Sequence, residues 1–303
     1  MHCPIDGGNN FKQLPYYYFW NEKRFQFVKC KQCGLVTINP KPTSDELNLL
    51  YGEDYFDHGA HGLNLHQLSY EAVRDAVPVE KRIQNFRERI LKYHPDAKSI
   101  FEIGAAMGYQ LHAAQQVGLK TGGLEISEAA NNRAQEKFGL SLYKGDFETM
   151  DLTAEYGKWD LVYGGDVFEH FSNPDIVVEK IYNLLSPGGK AVIIVPSTFN
   201  LFSTQVASII LLITGRQMKL PDNPYHLFEY TSNTISKIFL MKFFQVQIIN
   251  NIKKPSELNM KSKSISYQLK KAIHFVNFPF TKLFNRNGDR LTVVASKVSS
   301  TQA

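Results

Sequence analysis

The stretch Phe101-Glu102-Ile103-Gly104-Ala105-Ala106-Met107-Gly108 constrains this chain more than any other. It follows Lys98-Ser99-Ile100, an apolar run of strand character, and precedes a helix-like run over 109–117. A strand that turns into a helix around small residues is a ligand-binding device. Gly104 can take backbone angles that a side chain forbids. Ala106 and Gly108 keep the backbone open to close approach. The first turn of the helix, from Tyr109, offers unpaired N–H groups and a partial positive charge to an anionic group. Small residues also occur where a strand and a helix simply pack tightly, so the stretch gains meaning only from what surrounds it.

What surrounds it is alternation. Strand patterns cover 99–103, 120–126, 141–144, 159–163 and 190–195, and helix patterns fall between them. Ser127 is an N-cap with Glu128 behind it, and Gly139 ends that helix. Asn173-Pro174-Asp175 opens another, and Ser186-Pro187-Gly188-Gly189 is a tight turn into the next strand. Such alternation predicts an α/β fold, a doubly wound, mostly parallel sheet covered by helices on both faces. Residues 198–230 and 251–287 interrupt the pattern, and late strands follow at 244–249 and 291–296. A helical connector at 46–95 precedes the domain, broken at Pro78 and striped by Ile83, Phe86, Ile90 and Leu91. Between its helices, 51–62 is loop-like and holds His58 and His61.

Residues 1–45 differ in character. Cys3 is followed by Asp6, Gly7 and Gly8, and Cys30-Lys31-Gln32-Cys33-Gly34 forms a Cys-x-x-Cys knuckle. Two such knuckles close a tetrahedral zinc site. Here Asp6 stands where a cysteine would, so the ligands are Cys3, Cys30, Cys33 and either Asp6 or His2, or the module has lost its metal and holds by packing its aromatics. It reads as strand-poor, with only 25–28 alternating.

In a doubly wound sheet, ligands bind at the carboxyl ends of the strands, where the strand order reverses. Falling there are the Gly104 turn, Glu125, Asp146 with Phe147, then Gly165, Asp166, Glu169 and His170. Glu125 lies about twenty residues past the glycine turn, the spacing at which a carboxylate accepts ribose hydroxyls. Asp146 is suited to an exocyclic amino group, with Ile126 and Phe147 against the ring faces. Several acids at successive strand ends are poorly explained as solvated loops.

On these residues the chain resembles the class I S-adenosylmethionine-dependent methyltransferases. The matching segments are Glu102 to Gly108, Gly123-Leu124-Glu125-Ile126-Ser127, Lys144-Gly145-Asp146-Phe147, Asp166-Val167-Phe168-Glu169-His170-Phe171 and Leu184-Leu185-Ser186-Pro187-Gly188-Gly189. Ala106 replaces the usual middle glycine. The resemblance implies a Rossmann-like seven-stranded sheet over 96–303 with a closing antiparallel strand. It implies S-adenosyl-L-methionine as cofactor, held by Glu102, Gly104, Ala105, Ala106, Gly108, Tyr109, Glu125, Ile126, Asp146, Phe147, Gly165 and Asp166. It extends to a subgroup with an N-terminal zinc-ribbon-like module, a Pro40-Lys41-Pro42 stretch and tyrosines like Tyr51 and Tyr55, whose members methylate sugars, quinones and other small molecules.

For a hydroxyl acceptor a base is needed. His170, beside Glu169, is one candidate, or the pair braces its loop. His226, in Pro224-Tyr225-His226-Leu227-Phe228 at the start of a helix, is the other, or it caps and packs. The apolar segment 201–213 forms a lid helix over an acceptor pocket, or touches a lipid surface. Between Lys253 and Arg290 basic residues outnumber Glu257 and Asp289, which suits an anionic or lipid-linked substrate, or simply a solvated face.

Composition sets outer limits. A net charge of +5 over 303 residues gives no reason to expect nucleic acid. No apolar run approaches the roughly 20 residues of a membrane span, the start shows no signal peptide pattern, and three cysteines do not make a disulfide scaffold. A cytoplasmic location is expected. Two other readings are a nicotinamide-dependent oxidoreductase, against which Tyr109 occupies the third glycine position, and a non-catalytic zinc-ribbon adaptor.

Overall fold

The computed structural model describes residues 1–50, 70–220, 223–252 and 265–298. The loop histidines His58 and His61, the tyrosines Tyr51 and Tyr55, and the lysines at 253–264 lie outside the described residues.

The chain opens on strands β1 (Phe11–Trp20), β2 (Lys23–Cys30) and β3 (Val36–Asn39). Helices α1 (Ser44–Leu50), α2 (Tyr70–Asp75) and α3 (Val79–Arg89) follow. Then come β4 (Ser99–Ile103), α4 (Tyr109–Gln116), β5 (Lys120–Glu125), α5 (Glu128–Phe138), β6 (Tyr143–Lys144), β7 (Trp159–Gly165), α6 (Pro174–Leu184) and β8 (Leu185–Pro196). The last third holds α7 (Phe202–Ile213), β9 (Met218–Lys219), β10 (Phe228–Glu229), α8 (Ser232–Leu240), β11 (Phe244–Asn251), α9 (Ile265–Phe284) and β12 (Arg290–Lys297).

The expected doubly wound sheet is present, with seven strands in the order β11-β12-β8-β7-β4-β5-β6. β6, β5, β4, β7 and β8 are parallel, while β12 runs antiparallel to both β8 and β11. Strand order therefore reverses between β4 and β7, and the crevice opens at their carboxyl ends. Local signals act as expected at several ends. Ser127 caps α5 by accepting from the Ala130 N–H at 3.3 Å, and Gly139 closes it in the left-handed conformation. Thr231 caps α8 through a reciprocal capping box with Thr234. The segment 186–189 does not stand apart as a turn; it belongs to the start of β8, where the register with β7 shifts.

The N-terminal part is rich in strands, contrary to the sequence reading. β1 and β2 form a hairpin around Asn21 and Glu22, both left-handed (φ 46° and 57°). A bulge between Gln13 and Tyr17 accommodates Pro15, and the Gln26 amide donates to the carbonyls of Leu14 and Tyr16 there, both at 2.7 Å. The sheet also reaches across the sequence: β9 adds parallel to β1 and β10 antiparallel to β3, giving the order β10-β3-β2-β1-β9. Tyr16, Phe27 and Ile38 of this sheet pack in one continuous core with Phe168, Leu227, and Ala191 and Ile193 of the large sheet.

α7 forms where the apolar segment 201–213 predicted a helix. It has no buried residue, and Ile209, Ile210, Leu212 and Ile213 are exposed, as are Phe275, Phe280, Leu283 and Phe284 of α9, against which it packs. Among the described residues no helix is long and apolar enough to cross a membrane.

Candidate active site

The bend after β4 is built by hydrogen bonds from its own backbone. The N–H groups of Gly104 and Ala105 both donate to the Leu124 carbonyl, at 2.9 and 3.0 Å. Gly104 is left-handed (φ 66°), and a Cβ there would stand 2.8 Å from Val167 Cγ2. Gly108 is also left-handed, but a Cβ would strike Leu140 rather than a ligand, so its smallness serves packing. Ala106 sits at φ 47°, a conformation that disfavours any side chain.

Glu125, at the end of β5, clamps this bend. Its Oε2 accepts from the Ala106 N–H at 2.7 Å and its Oε1 from the Ser127 N–H at 2.9 Å. Burial pushes its carboxyl up, and these N–H donors pull partly the other way. Glu102, at the end of β4, is 5% exposed and its Oε2 has no hydrogen-bond partner among the described residues. Burial first, and then the neighbouring Glu125 charge, hold its carboxyl well above the ordinary range, against the pull of Arg74.

Asp146 follows β6 and lies half-buried, accepting from the Glu148 N–H at 2.8 Å. The Gly145 N–H donates to the Glu125 carbonyl at 3.1 Å, which joins the ends of β5 and β6. Ile126 beside them is 50% exposed and available to a ring face. The Phe147 side chain is not: it is 1% exposed, 5.9 Å from the Phe171 ring, inside the core. Lys180 fixes this loop by donating to the carbonyls of Phe147, Glu148 and Met150 at 2.8–2.9 Å. Tyr109 is likewise a brace; its hydroxyl donates to Asp75 at 2.7 Å and holds α2 beside the bend.

β7 ends at Gly165, where a Cβ would overlap the Tyr163 hydroxyl. Asp166 follows in the left-handed conformation, its N–H donating to the Ile194 carbonyl at 2.8 Å and its carboxylate paired with Arg290. Arg290 escaped the sequence reading as a partner. It enters because antiparallel β12 starts where parallel β8 ends.

A single helical turn, Phe168–His170, then carries Glu169 and His170. The structure brings His226 to them from the second half of the chain. It lies in the turn ahead of β10, not at a helix start, because the Leu227 N–H donates to the Glu169 carbonyl at 3.0 Å. The two imidazoles stand edge to face with centroids 5.1 Å apart. Each Nε2 is 3.8 Å from Glu169 Oε1. His170 Nδ1 lies 3.0 Å from the Tyr225 carbonyl and His226 Nδ1 3.4 Å from Glu229 Oε1. Glu169 is 1% exposed, and neither of its oxygens has a hydrogen-bond partner among the described residues. Burial pushes its carboxyl up to about 8, against the pull of His226. Glu229, a second buried acid here, carried no sequence signal beyond its three-residue spacing from His226.

A separate cluster forms at the N-terminus. Cys3, Asp6, Cys30 and Cys33 converge, with ligand atoms all within 4.8 Å of one another. Cys3 and Cys33 sulfurs are 3.4 Å apart, and Cys30 Sγ is 3.3 Å from Asp6 Oδ2. Gly7 and Gly34 are left-handed, as knuckle turns require. His2 is exposed and turned to the Gly7 carbonyl, so Asp6 completes the set.

Comparison with solved structures finds the same fold. A SAM-dependent methyltransferase from Archaeoglobus fulgidus is 16% identical, with 73% of this chain and 96% of that chain covered and a TM-score of 0.50. The phosphoethanolamine N-methyltransferase 2 of Haemonchus contortus, solved with S-adenosyl-L-methionine, is 16% identical, with 90% and 64% covered and a TM-score of 0.51. Among curated proteins none matches. A family model described as "Methyltransferase domain" matches residues 77–241, more than half of the chain, from just after α2 to just past α8. The chain belongs to the methyltransferase-domain family.

Proposed function

We propose that the protein transfers the methyl group of S-adenosylmethionine to an oxygen of a small-molecule acceptor. The observation that carries this reading is the placement of Glu102, Glu125 and Asp146 at the ends of adjacent strands around the Gly104 bend. The residues fit the cofactor. Glu102 offers a buried oxygen without a hydrogen-bond partner to the methionine ammonium. Each Glu125 oxygen already accepts one backbone N–H and has a lone pair left for a ribose hydroxyl. Asp146 takes the adenine amino group, and Ile126 covers the ring. When bound, the cofactor supplies an electrophilic methyl on a sulfonium; the protein orients it and manages the acceptor's proton. Glu169 and His170, which follow β7 at the crevice, and His226, brought beside them by the turn ahead of β10, form the group that deals with this proton. The exposed apolar face of α7 and α9 favours an acceptor with an apolar or lipid-linked portion. Mass spectrometry of hydroxylated acceptors, free and lipid-linked, after incubation with labelled S-adenosylmethionine tests this. Label on an acceptor oxygen is expected; label found only on nitrogen or carbon would overturn the oxygen assignment.

The raised Glu102 carboxyl gives a pH dependence. In the folded protein it keeps a proton that the unfolded chain, at an ordinary value of 4.5, has lost. Its contribution to stability is therefore largest at low pH and falls as pH rises through the raised folded value. An ammonium beside it favours the ionised form, so cofactor binding releases a proton. S-adenosylmethionine affinity is expected to rise as pH rises above the ordinary carboxyl value of 4.5 towards the raised value of Glu102, and Glu102→Gln to flatten the profile. Calorimetry in buffers of different ionisation heat reads the proton directly.

The Cys3, Asp6, Cys30 and Cys33 cluster suits a structural zinc: two thiolates about 2.3 Å from a tetrahedral ion are about 3.8 Å apart, near the 3.4 Å between the Cys3 and Cys33 sulfurs. Cys33→Ser is expected to abolish one equivalent of zinc by elemental analysis. With zinc about 100-fold above its dissociation constant, the lost stabilisation is about 2.7 kcal/mol, or roughly 4 °C in Tm for a chain of 303 residues.

A further inference from the structure

We propose that Glu169, His170 and His226 hold a divalent transition-metal ion, distinct from any zinc at the N-terminal cysteines. Three independent features of the cluster converge on this.

The first is spacing. Both Nε2 atoms lie 3.8 Å from Glu169 Oε1. That is beyond a hydrogen bond. Two ligands each about 2.1 Å from one ion are about 3.0 Å apart at a right angle and about 4.2 Å apart across it. All three ligand atoms lie within 4.8 Å of one another.

The second is orientation. A backbone carbonyl only accepts, so His170 presents an Nδ1–H to Tyr225, and His226 presents the same to Glu229. In the neutral imidazole this leaves each Nε2 lone pair facing the Glu169 carboxylate. A divalent cation placed among these atoms would be held by both lone pairs and the carboxylate together. A carboxylate and a carbonyl behind the distal nitrogens are also the outer partners by which proteins orient metal-binding histidines.

The third is burial. Glu169 is 1% exposed and neither oxygen accepts a hydrogen bond from a described residue. A buried carboxylate in that state is costly; a proton relieves it at Glu169 alone, whereas a metal cation relieves it and engages both imidazoles as well. Two imidazoles and one carboxylate suit zinc, cobalt, iron or manganese in the divalent state. The imidazoles are 15% and 31% exposed at their side chains, so the cluster lies near the surface of the crevice rather than deep in the core. A cation there would stabilise the acceptor oxygen in its deprotonated form. That last role rests on the proposed oxygen methylation; the ion site does not.

The test is cobalt(II) titration of the full chain after metal removal by chelation, followed by absorption spectroscopy. Expected is one cobalt equivalent without sulfur-to-metal charge transfer, retained in Cys33→Ser. Its affinity should fall at least tenfold in Glu169→Gln and in His226→Gln, the latter at a part-exposed position that spares folding; thermal melts confirm it. Cobalt bound only with the sulfur band, or equal uptake by wild type and both folded variants, would overturn the site. Because the readout is metal binding, this outcome is independent of whether the acceptor atom is oxygen.

Discussion

Glu125→Gln is expected to weaken S-adenosylmethionine binding by about a hundredfold, measured by titration calorimetry. Hydrogen bonds to a charged acceptor contribute about 1.5–3 kcal/mol each, and a net loss of about 2.8 kcal/mol is a hundredfold in Kd. Two ribose hydroxyls lose a charged partner, and the bend loses its clamp. The Ala106 and Ser127 N–H groups both point at the carboxylate, and the amide of glutamine turns a donor toward one of them. Left unheld, Ala106 has reason to leave its left-handed angle. A variant that folds normally and binds with wild-type affinity would remove Glu125 from the site.

The second large effect concerns turnover. Glu169→Gln is expected to lower kcat by about 10²–10⁴-fold, the range for losing a positioned proton-transfer function. Cofactor affinity should change far less than kcat, the coupling of Glu169 to the Asp166–Arg290 pair being its one link to the strand-end acids among the described residues. Glutamine keeps the shape and the buried contacts with the Leu227 segment, so the loss would report charge rather than folding. Equal losses in kcat and in cofactor affinity would instead mean that Glu169 braces the crevice.

The large sheet was legible because its determinants are local. β4 spans the predicted residues, and Ser127, Gly139 and Thr231 cap or close their helices as capping chemistry requires. The acids at the strand ends followed from topology alone. The nicotinamide and adaptor alternatives fall away with the family assignment. The N-terminal strands were missed because their hairpin turns on Asn21-Glu22, and glutamate is not a usual left-handed residue. β9 and β10, two residues each, exist only because a partner strand receives them. The Phe147 ring went inward because Phe171 and Lys180 fill the space around its loop, which no spacing rule reports. The meetings of Asp166 with Arg290 and of Glu169 with His226 join distant residues, and only the folded sheet brings them together.

The Leu227 carbonyl receives the Thr37 hydroxyl at 2.7 Å and the Ile38 N–H, while the N–H of the same residue reaches Glu169. One residue thus rivets the cysteine-bearing front of the chain to the turn that bears Glu169 and His170. Trimming away the first forty residues would strip β10 of its neighbour and unmoor His226 along with it. The small leading sheet is a retaining wall for the crevice: β3, which follows the Cys30–Cys33 knuckle, is the strand that holds the turn bearing His226.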